Sequence, residues 1–131
     1  MNKRLLPKTQ DLPHALYLAE QLRDFDRQIS ERFEISEEVM IDRAGTAAFK
    51  FAYDHWPEVH SCHVFCGKGK NGEDGFIFAL KAKLAGWNVS VSFVSSENNK
   101  DSDFGSFAKK WCEKNDINND PKFFSRDCDL I

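Results

Sequence analysis

The 131-residue sequence predicts an α/β domain in which parallel strands alternate with covering helices. Three observations predict it. Residues 62–66 read as a short buried strand that runs into a glycine-rich loop and then a helix. Residues 89–94 alternate strictly, with Val89, Val91 and Phe93 on one face, as a second strand. The stretch between them is long enough for one helical crossover, which brings the strands together parallel with a right-handed connection.

The elements follow in order. Residues 1–14 carry no periodic pattern and are expected to be a flexible lead. Over residues 17–33, Leu18, Leu22, Phe25, Ile29 and Phe33 are spaced four, three, four and four, one stripe of a first helix, while Glu20, Arg23, Asp24 and Arg27 lie off it as a solvated face. Ser36 followed by Glu37 and Glu38 marks a helix start, with a cap oxygen and acids where the dipole favours them. This second helix runs toward Trp56 and Pro57 stops it. Its stripe of Met40, Ala44, Ala47, Phe51 and His55 is expected to face the core, and Ala44, Gly45, Ala47 and Ala48 allow close packing.

Beyond the glycine loop, Ile77, Leu80, Leu84 and Trp87 make the stripe of a third helix, ending near Gly86. After the second strand, residues 95–103 read as a loop, and Ser102 or Asp103 can cap a helix carrying Phe104, Phe107 and Trp111. Residues 115–121 are turn-rich, residues 122–124 read as a short strand, and residues 129–131 as the start of another. The sheet is expected to be incomplete at that end, with an exposed edge that favours self-association.

Composition narrows the function classes. Apolar residues make up 41% of the chain, with 12 Phe and 3 Trp, enough for one core. A net charge of −3 with both signs interspersed speaks against a nucleic-acid binder or a polybasic membrane anchor. No apolar run suits a signal peptide or a membrane span, so the expected compartment is the cytoplasm. Cys62, Cys66, Cys112 and Cys128 lack paired metal-site spacing and read as buried, reduced thiols of the core. The four histidines, His14, His55, His60 and His63, show no ligand spacing, so no transition metal is expected. No Gly-x-Ser-x-Gly elbow is present.

The chemistry-bearing stretch is the loop. Gly67, Gly69 and Gly72 satisfy Gly-x-Gly-x-x-Gly between a strand and a helix, the context of a dinucleotide fingerprint. Glu97 is the candidate acid for a ribose hydroxyl. A Walker loop is excluded, because Glu73 stands where Lys is needed. Lys68 and Lys70 favour an anion, whereas Glu73 and Asp74 oppose one. On spacing alone, a tight turn with solvated charges stays open as the other reading.

Several motifs in register add to this. Tyr17-Leu18-Ala19-Glu20-Gln21, Asp26-Arg27, Asp42-Arg43-Ala44-Gly45 and Gly67-Lys68-Gly69-Lys70-Asn71-Gly72-Glu73-Asp74-Gly75 resemble, in order, the YjeF N-terminal domain of the NAD(P)H-hydrate epimerases. The resemblance covers residues 15–131. It implies a single Rossmann-like, three-layer α/β/α domain with parallel strands, a homodimer, and interconversion of the R and S epimers of hydrated NADH or NADPH. By position it implies substrate binding by Lys70, Asn71, Gly72, Glu73 and Asp74, with Asn71 as a ligand of one potassium ion per subunit.

The sequence departs from the family pattern at Lys70, where the family has Asn, at Glu73, where it has Gly, and at Leu18, where it has a capping Thr or Ser. A family segment that follows the equivalent of Asp129-Leu130-Ile131 carries a catalytic, potassium-binding Asp, and this sequence ends before it. Two readings follow: an epimerase seen as the first half of its domain, or a non-catalytic remnant or interaction module of the same fold. No catalytic residue is nominated, and Asp26 and Asp42 are left unassigned.

Overall fold

The computed structural model describes residues 17–94, 109–119 and 128–131. They fall into two compact units, Met1–Ile35 and Ser36–Ile131. Glu97, the helix expected around Phe104 and Phe107, and the strand expected at residues 122–124 lie outside the described residues, as do residues 1–14.

The first unit is helix α1, Ala19–Phe33. Leu18 has no side-chain oxygen to cap it, and the cap is supplied from the other side: the Leu18 N–H donates to Gln21 Oε1 at 2.8 Å. The helix ends at Glu34, a left-handed residue with φ 52°, and the Ile35 N–H returns to the Ser30 carbonyl. The expected stripe forms, but Leu22, Phe25, Ile29 and Phe33 are all exposed.

The second unit holds α2 (Glu37–His55), β1 (Ser61–Gly67), α3 (Lys70–Leu84) and β2 (Asn88–Val94). Ser36 caps α2, its hydroxyl accepting from the Val39 N–H at 3.3 Å. β1 and β2 pair parallel over their whole length, with Cys62 opposite Val89 and Gly67 opposite Val94. That register puts Cys62, Val64, Cys66, Val89, Val91 and Phe93 on one face and His63, Phe65, Ser90 and Ser92 on the other. α3 covers the first face with Phe76, Ala79 and Ala82, all buried. Removing Phe76 from water is worth about 2–3 kcal/mol. α3 closes with the 6→1 bond from Trp87 N–H to Ala82 O and the 5→2 bond from Gly86 N–H to Lys83 O, which Gly86 permits at φ 87°.

Two isolated bridges extend the sheet. Asn118 pairs parallel with Ser90 on the outer edge of β2, and Leu130 pairs parallel with Cys62 on the free edge of β1. The chain therefore moves outward from β1 through β2 to Asn118 and then returns to the other side of β1. This reversal makes the β1–Leu130 boundary a topological switch point.

Four expectations need correction. α2 does not turn the Met40–Ala44–Ala47–Phe51–His55 stripe to the core: Gly45 and Ala52 are its buried residues, while Ala44, Ala47 and Phe51 are exposed. The reason is Gly45, where a Cβ would lie 2.5 Å from Ile77 Cβ and 2.6 Å from the Asp74 carbonyl. That closest approach to α3 sets the rotation of α2. On α3 the fully buried residues are Gly72, Phe76, Ala79 and Ala82, and Leu84 is 75% exposed, because α3 lies on the sheet through small residues. α3 also starts at Lys70, so the loop after β1 is only Lys68 and Gly69 and the motif is mostly helix. Finally, Asn118 pairs with β2 inside the stretch read as turn-rich, because β2 offers its outer edge there.

Candidate functional site

The site is built where β1 ends and α3 begins. Gly69, the N-cap of α3, has φ 124° and ψ −179°, a backbone geometry reserved for glycine, and no side chain caps the helix start. One turn on, a Cβ at Gly72 would lie 1.8 Å from the Gly67 carbonyl oxygen. The helix is thus pressed directly on the strand end. A Cβ at Gly75 would meet Cys66 Sγ at 2.9 Å, so the contact continues along the strand. These two glycines serve close helix–strand packing, one of the jobs of glycine in such turns.

Beside this contact lies an open, mostly apolar cleft of about 540 Å³. Ala48 and Phe51 of α2 line it, with Asn71 and Asp74 of α3 and, across the strand edge, Leu130 and Ile131. It sits at the switch point between β1 and the Leu130 segment, the place where open α/β sheets take ligands. Phe51, exposed on α2 although its stripe was expected to face the core, contributes to a wall of this cleft instead.

The structure separates the five residues assigned by position. Asn71 and Asp74, one helical turn apart, line the cleft. Gly72 is buried against Gly67. Lys70 Nζ forms an ion pair with Glu37 Oε1 at 2.6 Å, at the start of α2. Glu73 is exposed on the first turn of α3 and is absent from the cleft lining. Its added charge therefore stands at the helix start without occupying the cleft. Burial raises the Asp74 carboxyl above the ordinary carboxylate value, since the surroundings disfavour its ionised form.

Other candidates resolve plainly. Asp42 pairs with Lys81 at 3.5 Å between α2 and α3 and is not a cleft residue. Asp26 is exposed on α1. His63 is a buried histidine on the sheet face away from α3, where it adjoins the cleft, with Nδ1 2.6 Å from Ser90 Oγ and Nε2 3.0 Å from Ser92 Oγ. Desolvation lowers its pKa. All four thiols are free, with Cys62, Cys66 and Cys112 buried. Burial pushes Cys62 and Cys66 up to about 12 and Cys112 to about 11, which leaves them protonated and inert. Among the described residues no three His, Cys, Asp or Glu side chains cluster as a metal site, and no helix is long and apolar enough to cross a membrane.

Sequence reasoning missed the apolar walls of the cleft and the contribution of Leu130 and Ile131. The signal available for the latter was the parallel order of the strands, which returns the last one to the β1 edge.

A family model described as YjeF-related protein N-terminus matches residues 37–122, the span that holds both strands and the glycine turn. The chain belongs to this family. Among relatives of this YjeF-related domain, a bifunctional NAD(P)H-hydrate repair enzyme Nnr of Coxiella burnetii is 43% identical over 76 residues, 58% of this chain and 15% of that protein. An NAD(P)H-hydrate epimerase of Legionella pneumophila strain Corby is 31% identical over 80 residues, 61% of this chain and 30% of that one. The chain thus matches well under half the length of these relatives. A crystal structure of yeast ynu0, YNL200c, superposes with a TM-score of 0.61 at 17% identity, over 80% of this chain and 46% of the other. That likeness shows the α/β fold.

Proposed function

We propose that this chain acts on hydrated NADH or NADPH as an NAD(P)H-hydrate epimerase, with the cleft beside β1 as its substrate site. The observation that carries the reading is the pairing of Asn71 and Asp74 at one end of an apolar cleft on the switch point. The names of the relatives support the substrate class. Interconverting the two epimers requires the C–O bond at the hydroxyl-bearing ring carbon to break and to re-form on the opposite face. A group that lends a proton to the departing hydroxyl and takes one back from the returning water assists both directions. Asp74 is the carboxyl side chain lining the cleft, and burial favours its protonated form, which suits that task. Asn71 offers an amide for orientation, and the apolar walls shed water from around the dihydropyridine ring.

The potassium ion belongs to the same proposal. Asn71 provides a hard oxygen donor of the right chemistry for such a cation, which would supply positive charge near a phosphate-bearing substrate. The homodimer and the cytoplasmic setting expected from the sequence are also part of it, and sedimentation reads the former.

The test is an epimerase assay on the purified chain in potassium buffer. The R hydrate is supplied, an S-specific dehydratase is coupled, and the return of NADH absorbance is followed. Turnover should be abolished by Asp74→Asn and weakened by Asn71→Ala. If the folded chain binds the hydrate calorimetrically but gives no turnover, the binding-module reading replaces the enzymatic one. If it neither binds nor turns over, the cleft is not a substrate site.

A further inference from the structure

Asp129 gathers several long-range hydrogen bonds at the start of β1. Its Oδ2 accepts from the His60 N–H at 2.9 Å, from the Ser61 N–H at 2.9 Å and from the Ser61 hydroxyl at 2.8 Å. Its own N–H donates back to Ser61 Oγ at 3.0 Å. The carboxylate is exposed, so burial does not hold it there. Next along the chain, the Leu130 N–H donates to Ser61 O at 3.2 Å, and Leu130 O accepts from the His63 N–H at 3.0 Å.

A parallel pairing between segments this far apart has no hairpin turn to set its register. Ordinarily the hydrophobic pattern does so, because a one-residue slip sends every side chain to the other face. Here that signal is missing, since Leu130 and Ile131 are both large and apolar and either could take the inner position. The polar loop between Asp129 and Ser61 supplies it. With Asp129 held at the start of β1, Leu130 can only fall opposite Cys62, and Leu130 and Ile131 then form the far wall of the cleft.

We propose that Asp129 is a positioning residue: its carboxylate fixes the parallel register of Leu130 on β1 and thereby places the Leu130–Ile131 wall of the cleft. The effect on ligand binding rests on the cleft being the substrate site, whereas the effect on register does not. An Asn at this position keeps an oxygen that can accept from the two backbone N–H groups, so it preserves the register more weakly. An Ala removes the acceptor altogether.

Hydrogen exchange resolved by residue tests the register directly in the full chain. In Asp129→Ala, protection at the Leu130 and His63 amides should fall about tenfold or more, the scale of losing a charge-assisted hydrogen bond. The amides of the β1–β2 ladder should stay protected, and Asp129→Asn should recover most of the loss. Affinity for NADH hydrate, titrated calorimetrically, should fall with Asp129→Ala and return with Asp129→Asn. Should Asp129→Ala not fold, Ser61→Ala, which breaks the same loop from the other strand, must give the selective loss. Unchanged protection at Leu130 and His63, or an equal loss at every ladder amide in the Ala and Asn variants alike, overturns the proposal. A wild-type chain that binds no hydrate overturns the substrate reading alone, and the exchange result still decides the register.

Discussion

The two ends of β1 are held by opposite kinds of interaction. At the N-terminal end, a solvent-exposed carboxylate gathers two backbone N–H groups and a hydroxyl. At the C-terminal end, α3 is pressed on the strand with no room for a Cβ at Gly72. The first contact is polar and depends on ionisation; the second depends on shape alone. Hydrogen bonds to His60 and Ser61 hold the Asp129 carboxyl below its ordinary value of 3.8. A depressed carboxylate contributes stability that is present above its unfolded value and lost as pH falls through its folded value. The glycine contact has nothing to titrate. The Gly72 contact at the site end is therefore insensitive to pH, while the Asp129 contact at the opposite end, which positions one cleft wall, is not.

The sharpest way to break this comparison is Gly72→Ala. The new methyl would overlap the Gly67 carbonyl, and the expected loss of about 4 kcal/mol or more should unfold much of the chain. Urea melts at pH 5 and pH 8 should show the same deficit, and a pH-dependent deficit would mean that the strand end is held by charge after all. Gly45→Ala comes next. Its Cβ meets Ile77 and the Asp74 carbonyl, so overpacking of about 1–3 kcal/mol should exceed the roughly 1 kcal/mol gained in helix propensity. Because the strain falls on the Asp74 backbone, hydrate affinity should drop with stability.

His63 provides a titration between these extremes. Its folded pKa is lowered from 6.5 by burial, so the unfolded chain takes up the proton first. Stability should be full above pH 6.5 and decline as pH falls through that value, levelling off below the folded pKa. His63→Gln should flatten this part of the slope in urea melts at stepped pH, leaving the contributions of shifted carboxyls such as Asp74 and Asp129. A slope that survives the substitution would assign it to another group. The smallest effect is expected at Thr46, whose buried Oγ1 on α2 has no hydrogen-bond partner. Thr46→Val should raise stability by about 0.5–1 kcal/mol, detectable as a shifted melting midpoint.

Much of the second unit was legible in its sequence because local physics decided it. Ser36 caps α2, and the alternation of residues 89–94 makes β2. A single helical stretch between two strands forces the parallel pairing that is observed. The rotation of α2 was not legible. Met40, Ala44, Ala47 and Phe51 make as good an apolar stripe as the one that packs, and only the depth of the Gly45–Ile77 approach selects between them. The candidate site shows the same division. The glycine motif marked the place, yet Lys70, Asn71, Gly72, Glu73 and Asp74 part into an ion pair, a cleft lining, a packing contact and an exposed charge only once α3 is wound on β1.

What the sequence determined by itself was the kind and order of the elements and the residues at the turn between β1 and α3, because caps, periodicity and glycine spacing act over a few residues. The tertiary structure alone decided which faces meet, where Asp129 reaches, and that a cleft lies between α2, α3 and the Leu130 segment. Those outcomes depend on contacts such as Asp129 with Ser61, and no local pattern records which distant backbone a side chain will find.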